Sequence, residues 1–168
     1  LEPTLFDDER GRFFESYNHR EFQEKTGLRV NFVQDNHSIS KKGVLRGLHF
    51  QAGEYAQAKL VRVIKGAVLD VVVDLRKGSS TFGEYFKTRL SEDNHKMLFI
   101  PEGMAHGFLA LEEDTVFTYK CSRYYHKSAE SGIIYNDADL DIDWEYPSHE
   151  IILSEKDRQL LSFKDLGL

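Results

Sequence analysis

The stretch KLVRVIKGAVLDVVVDL, residues 59–75, sets the fold class. KLVRVI (59–64) and AVLDVVVDL (67–75) are short runs dominated by valine and leucine, the composition of strands. Lys65-Gly66 separates them as a tight hairpin turn would. The same pattern recurs outward from this pair in RVNFV (29–33), VLRGLHF (44–50), KMLFI (96–100), GFLAL (107–111) and TVFTYKC (115–121), with EED (112–114) as a second turn between the last two. Many short strands with turns every ~8–12 residues predict an all-β sandwich or barrel.

Two short helices are expected beside the strands. NHREFQEKTG (18–27) offers Asn18 as an N-cap, Glu21 three residues on, and Gly27 just past the end. SEKDRQLL (154–161) places Ser154 and Asp157 at capping-box spacing. No internal repeat, low-complexity tract or linker interrupts the chain, so residues 1–168 read as one domain. YNDADLDIDWEYP (135–147) is acidic and turn-rich and reads as a long surface loop.

Composition narrows the function classes. A chain of 168 residues with 40% hydrophobic and 12% aromatic content is globular and long enough for a real core. A net charge of −6 without any Lys/Arg block argues against a nucleic-acid partner, which needs a basic face. It leaves room for an anionic small molecule held by a few local cations. Cys121 is the only cysteine, which precludes an intrachain disulfide and favours a reducing, cytoplasmic setting. By itself Cys121 reads as a small buried hydrophobe. No apolar run reaches the ~18 residues of a membrane span, so no membrane partner is expected. The chain begins at Leu1 with neither a methionine nor a signal-like apolar region, and further N-terminal residues are expected in the natural protein.

Parity within the strands singles out polar residues on apolar faces, because alternate side chains share a face. Lys59 shares its face with Val61 and Val63, so it either snorkels out at the strand end or points into a polar cavity. Tyr119 shares its face with Phe117 and Cys121 and is either a core tyrosine or a phenol lining a cavity. In 44–50, His49 lies on the Leu45 face and Arg46 on the Leu48 face; a bulge at Gly47 is what would bring both to one side. Arg62, Arg76 and Lys77 read as structural or surface residues.

IPEGMAHGF (100–108) carries Pro101, Gly103 and His106 in a Pro-x-Gly-x-x-His pattern that resembles the second motif of the cupin barrels. Metal-binding cupins add a His-x-His to their first motif; here the corresponding stretch is His49-Phe50-Gln51. His49 and His106 alone are too few for the three or four ligands of a metal site, so no metal is expected. His19, His37, His95, His126 and His149 show no ligand spacing and read as surface histidines.

Nearly the whole chain resembles one branch of that superfamily. DERGRFFESYN (8–18), FVQDNHS (32–38), GVLRGLHFQ (43–51), AKLVRVIKG (58–66), VVVDLRKGSSTFGEY (71–85), FIPEGMAHGF (99–108), YKCSRYYH (119–126), NDADLDIDW (136–144) and LSEKD (153–157) occur in the order seen in the dTDP-4-dehydrorhamnose 3,5-epimerases. The resemblance implies a cupin-type jelly-roll β-barrel or sandwich with a few short flanking helices, lacking most of the family's usual first strand. It implies an isomerase of dTDP-L-rhamnose synthesis, acting on a dTDP-linked 4-keto-6-deoxyhexose without a cofactor. It implies a homodimer built by strand exchange or sheet extension.

Residue by residue, the resemblance makes His49 the base, Asp157 the carboxylate that orients it, Lys59 the cation beside the keto oxygen and Tyr119 the acid on the opposite face. Asp157 keeps its rival reading as a helix cap, and the two are compatible if the helix start abuts His49. Arg10 and Arg46 match positions near the nucleotide sugar. Gln34 and Asn36 are candidates for the sugar or diphosphate, Phe13, Glu15 and Tyr125 for the nucleoside end, and His106 for a second histidine in the cavity. Two positions depart from the family pattern: Ser80 stands where proline is common, and Tyr135 where tryptophan is common. The rival readings are an epimerase acting at C3 or C5 alone and a non-catalytic sugar-nucleotide-binding cupin. Retention of His49, Asp157, Lys59 and Tyr119 together argues against the second.

Overall fold

The computed structural model describes residues 1–167. In chain order its elements are β1 (Phe6–Asp8), β2 (Gly11–Phe13), α1 (His19–Thr26), β3 (Gln34–Ser40), β4 (Leu45–Gln51), β5 (Lys59–Lys65), β6 (Ala67–Asp74), β7 (Tyr85–Ser91), β8 (Met97–Ile100), β9 (Met104–Ala110), β10 (Thr115–Cys121), β11 (Glu130–Gly132) and α2 (Glu155–Arg158). One four-stranded sheet runs β3-β10-β5-β8, a five-stranded sheet runs β11-β4-β9-β6-β7, and β1-β2 form a separate hairpin. The architecture is all-β with a cupin-like sheet topology, and every strand pairing within it is antiparallel. Among the described residues no helix is long and apolar enough to cross a membrane.

The turn expected at Lys65-Gly66 is not a hairpin. β5 pairs with β10 and β8, whereas β6 pairs with β7 and β9. At Gly66 the chain leaves one sheet for the other, held by hydrogen bonds from Gly66 N–H to Glu92 Oε1 (2.8 Å) and from Glu92 N–H to Gly66 O (3.0 Å). Gly66 has φ 78°, and a Cβ there would stand 2.6 Å from Thr115 Oγ1. That close approach requires glycine. Residues 112–114 likewise join β9 to β10 across the sheets. Strand composition reports that two segments are strands; it carries no information on which sheet each joins.

These crossings turn the alternate residues of the two sheets toward each other. Val61, Val63 and Phe117 of the four-stranded sheet pack on Val68, Val72 and Phe108 of the five-stranded one. Phe117 stacks on Phe108 with ring centroids 4.1 Å apart. The other face of β6, with Leu69, Val71 and Val73, joins a second cluster that includes Leu140 and Trp144. All eight residues of β6 are therefore buried, which explains its nearly unbroken apolar sequence. The acidic 135–147 segment is irregular, as expected, but it is a cover rather than a surface loop. Asp137, Leu140 and Trp144 are buried, and Asp137 accepts the amides of Asp139, Leu140 and Phe163.

α1 matches its expected bounds. Asn18 Oδ1 accepts from the amides of Arg20 and Glu21, and Gly27 closes the helix in the left-handed conformation. The strand expected at 29–33 instead begins at Gln34. Its sequence, QDNHSIS, is polar because one face meets solvent and the other looks into a polar cleft. That composition hides it from a search for apolar runs. β7, YFKTRLS, was hidden in the same way, by the polar Lys87, Thr88 and Arg89 at its centre.

Candidate active site

Strand direction and one bulge assemble the site between the sheets. On β3, Gln34, Asn36 and Ser38 face inward; on β5 Lys59 does, and on β10 Tyr119, the register partner of both Asn36 and Val61. Across the gap, His49 of β4 pairs with His106 of β9, whereas the register between Arg46 and His49 is interrupted. That interruption falls at Gly47, where an added Cβ would lie 2.5 Å from Gly107 Cα. Arg46 and His49, on opposite faces by simple parity, thus line the same cleft of about 660 Å³. Lys59, His106, Tyr119 and Asp157 also line it, with Val44, Leu45 and Phe108 among its apolar walls. An adjoining recess of about 280 Å³ shares Asn36, His49, Lys59 and Tyr119 and adds Gln34, Tyr125 and Glu130.

Two histidine–carboxylate pairs face the cleft. His49 Nε2 lies 2.6 Å from Asp157 Oδ1. Burial of Asp157 favours its neutral form, but the His49 hydrogen bond and charge, together with Ser154 and Lys156, hold the carboxyl below its usual range. As an anion it accepts, so the ring nitrogen facing it is one that carries a proton. Asp157 also starts α2: its amide donates to Ser154 Oγ at 3.1 Å, so the cap and the histidine contact coexist. In the second pair, His106 Nε2 lies 3.1 and 3.0 Å from the two oxygens of Asp70, both residues being buried. Burial pushes the His106 imidazolium down, with Asp70 acting in the opposite direction.

Lys59 and Tyr119 complete the centre, with the Lys59 ammonium 5.9 Å from the Tyr119 ring centroid. Burial depresses the Lys59 pKa, offset in part by Cys121, Asp70 and Glu130, and burial raises that of the Tyr119 hydroxyl. A cation with so little solvent stabilises a nearby developing negative charge strongly. Arg46 Nε donates to Ser40 Oγ at 3.1 Å. Among the described residues no three His, Cys, Asp or Glu side chains group as metal ligands. Gln51, at the third position of His49-Phe50-Gln51, directs its amide to backbone atoms of two loops.

Of the expected contact residues, Gln34, Asn36, Arg46, His106 and Tyr125 line the cleft or its recess. Arg10, Phe13 and Glu15 do not. Arg10 and Phe13 sit on the exposed β1–β2 hairpin, where Arg10 pairs with Asp8 at 2.5 Å and Phe13, 67% exposed, packs on Phe6. Glu15 follows the hairpin and faces Asn18 Nδ2.

Sequence reading missed three charged residues of the site. Asp70 had a signal: it is the one carboxylate inside the otherwise apolar run AVLDVVV. Glu130 and Lys156 had none, lying in a three-residue strand and beside Asp157. They form an ion pair at 2.6 Å, and Tyr125 hydroxyl donates to Glu130 at 2.8 Å. Burial works to raise Glu130, but these two hydrogen bonds outweigh it and hold the carboxyl low.

Known proteins are similar to this chain over most of their length. The family model described as dTDP-4-dehydrorhamnose 3,5-epimerase matches residues 1–165. The dTDP-4-dehydrorhamnose 3,5-epimerase of Methanothermobacter thermautotrophicus is 54% identical over 159 residues, covering 94% of this chain and 85% of that one. The crystal structure of the Elizabethkingia anophelis dTDP-4-dehydrorhamnose 3,5-epimerase superposes with a TM-score of 0.94 at 53% identity, covering 98% of this chain and 90% of that one. A Legionella pneumophila dTDP-6-deoxy-D-glucose-3,5-epimerase, solved in complex with dTDP-4-keto-L-rhamnose, superposes with a TM-score of 0.93 at 45% identity over 97% and 86% of the two chains. With identity of this order spread across nearly all of its length, the chain belongs to the dTDP-4-dehydrorhamnose 3,5-epimerase family.

Proposed function

We propose that four side chains of the cleft divide the chemistry of this family between them. The activity is 3,5-epimerisation of a dTDP-linked 4-keto-6-deoxyhexose in dTDP-L-rhamnose biosynthesis. The 4-keto group acidifies the hydrogens on C3 and C5. His49, through the nitrogen turned away from Asp157, takes a proton from one face of the sugar. The electron pair moves into the ketone and leaves an enolate oxygen, which the Lys59 ammonium stabilises. Tyr119 returns a proton to carbon from the opposite face, inverting the centre. Asp157 holds the His49 ring and stabilises its imidazolium. The short His49–Asp157 contact, in a cleft shared with Lys59 and Tyr119, carries this reading.

Arg46, Gln34, Asn36, His106 and Tyr125 surround the reacting sugar and its nucleotide. Arg10, Phe13 and Glu15 reach a site only if the hairpin of one subunit meets the cleft of another, so we place them at the partner's site in a homodimer. The exposed Phe6 and Phe13 suit such an interface. The two sheets form one closed jelly-roll domain that works in the cytoplasm without a cofactor, as the His49-Phe50-Gln51 stretch and the lone cysteine suggest. Incubation with substrate in D2O tests the function. Deuterium at both C3 and C5 is expected. Label at one carbon alone makes the chain a single-site epimerase, and label at neither makes it a binding protein.

A further inference from the structure

We propose that Gln51 is a positioning residue that fixes Tyr125 at the mouth of the cleft and so sets affinity for the nucleoside end of the substrate. The inference rests on the reading of Tyr125 as a nucleoside contact. Gln51 is 6% exposed and follows His49 by two residues on β4. Its Nε2 donates to the backbone oxygens of Tyr55 (2.8 Å) and Tyr124 (3.3 Å), and its Oε1 accepts the amide of His126 at 2.6 Å. A glutamine amide has two protons and two lone pairs to offer, and three of these four are committed to the backbone of two loops.

The segment that Gln51 grips needs such a support. It runs from Cys121 at the end of β10 to Glu130 at the start of β11, and so crosses from the four-stranded sheet to the five-stranded one. No strand ladder holds its middle. From the facing sheet, Gln34 Oε1 accepts the amide of Tyr125 at 3.0 Å, while Gln34 Nε2 donates to Asn36. Consecutive amides, 125 and 126, are therefore held by glutamines of opposite sheets. The Tyr55 ring stacks on His126 at 4.0 Å and closes the outer side. Between these anchors the Tyr125 ring stands 53% exposed, its hydroxyl donating to Glu130. An aromatic ring with its backbone fixed in this way presents a pre-set face to a flat base. The Gln51 amide is spent on loops and does not reach the reacting carbons, so its loss reduces the fraction of molecules with Tyr125 in place.

Calorimetric binding of dTDP and steady-state kinetics on Gln51→Met, Gln51→Glu, Tyr125→Ala and the double variant Gln51→Met/Tyr125→Ala test the proposal. If the competent loop population falls to about a tenth, Gln51→Met weakens dTDP binding and raises KM about tenfold, with kcat within about twofold of the parent. Gln51→Glu keeps the acceptor for His126 and loses both donors, so an intermediate loss is expected, and this variant carries the test if Gln51→Met does not fold. In the Tyr125→Ala background, Gln51→Met adds no further loss. A Gln51→Met effect undiminished in that background, or a fall in kcat at constant KM, overturns the proposal. So does a silent Gln51→Met beside a weakened Tyr125→Ala, which leaves the reading of Tyr125 intact. Normal dTDP binding by Tyr125→Ala refutes that reading itself and the proposal with it.

Discussion

Asp157 serves His49 with its side chain and its own helix with its backbone: the carboxylate lies 2.6 Å from His49 Nε2, while the amide donates to Ser154 Oγ. The two roles separate by mutation. Asp157→Asn keeps the amide that Ser154 caps but replaces an anionic acceptor with a neutral group. A fall in kcat of ~10²–10⁴ is expected with little change in melting temperature. Ser154→Ala removes the cap and is expected to cost ~1 kcal/mol of stability, read from denaturant midpoints, with most activity retained. Equal losses of activity in the two variants would mean that Asp157 acts as a cap alone.

Tyr119→Phe is expected to uncouple exchange from inversion. His49 still removes a proton and returns one to the same face, so substrate hydrogen continues to exchange with D2O while inversion falls much further. If Tyr119 is only a core residue, losing its hydroxyl costs ~1 kcal/mol of stability and leaves the ratio of inversion to exchange unchanged. Mass spectrometry of substrate and product from one reaction gives both rates.

Activity is expected to survive exhaustive chelation. Gln51 stands where a ligand would be needed and spends its amide on loop backbone. Loss of turnover on chelation, restored by a single added metal, would overturn the metal-free reading.

Asp74 is expected to govern part of the acid stability. It is buried and accepts from Arg76, Ser79 and Thr81, and these bonds, above all that from Arg76, hold its carboxyl far below the usual range. A depressed folded-state pKa stabilises the protein above the ordinary carboxyl value, near 3.8, and that contribution drains away as pH falls below it. Asp74→Asn should therefore lower stability at neutral pH by about 1–3 kcal/mol and flatten its decline below pH ~4. Urea melts at pH 7 and pH 3 check both signs.

If the hairpin of one subunit serves the cleft of the other, as proposed, a complementation experiment is decisive. Neither His49→Asn nor Arg10→Ala homodimers are expected to turn over well. A mixed dimer has one site with the intact His49 of one subunit and the intact Arg10 of the other, so mixing the two variants is expected to restore activity. No recovery after verified subunit exchange would place Arg10 and His49 in the same chain's site, or Arg10 in none. Light scattering that gives a fully active monomer of 19.5 kDa would refute the dimer outright.

Strands with an apolar face were legible in the sequence, and so were α1, the bulge needed at Gly47 and the place of Lys59 on an apolar face, which left open whether it snorkels out or enters a cavity. The failures share a physical cause. β3 is polar because it lines a cleft, so hydrophobicity alone placed its strand five residues early. The link at Gly66 has the chemistry of a hairpin, yet the neighbours that make it a crossing, Thr115 and Glu92, are remote in sequence. Asp70 shows as a polar interruption, but its partner His106 is named only by the β6–β9 pairing. Local composition reads faces and turns; pairings between distant strands carry the rest.

Those distant pairings also dictate an order of assembly. Among the described residues, outside the small β1–β2 hairpin, β6 and β7 are the only consecutive strands that pair, so they can zip together as soon as both exist. β3 must wait for β10, its sole sheet neighbour, which emerges last among the strands of its sheet. A growing or refolding chain therefore carries β3 as an open edge for most of its history, the state in which strands recruit the wrong partners. The run of Gln34, Asp35, Asn36, His37 and Ser38 leaves that edge a single large apolar side chain, Ile39, to offer another chain. The polarity that lines the finished cleft also protects the unfinished protein from aggregation.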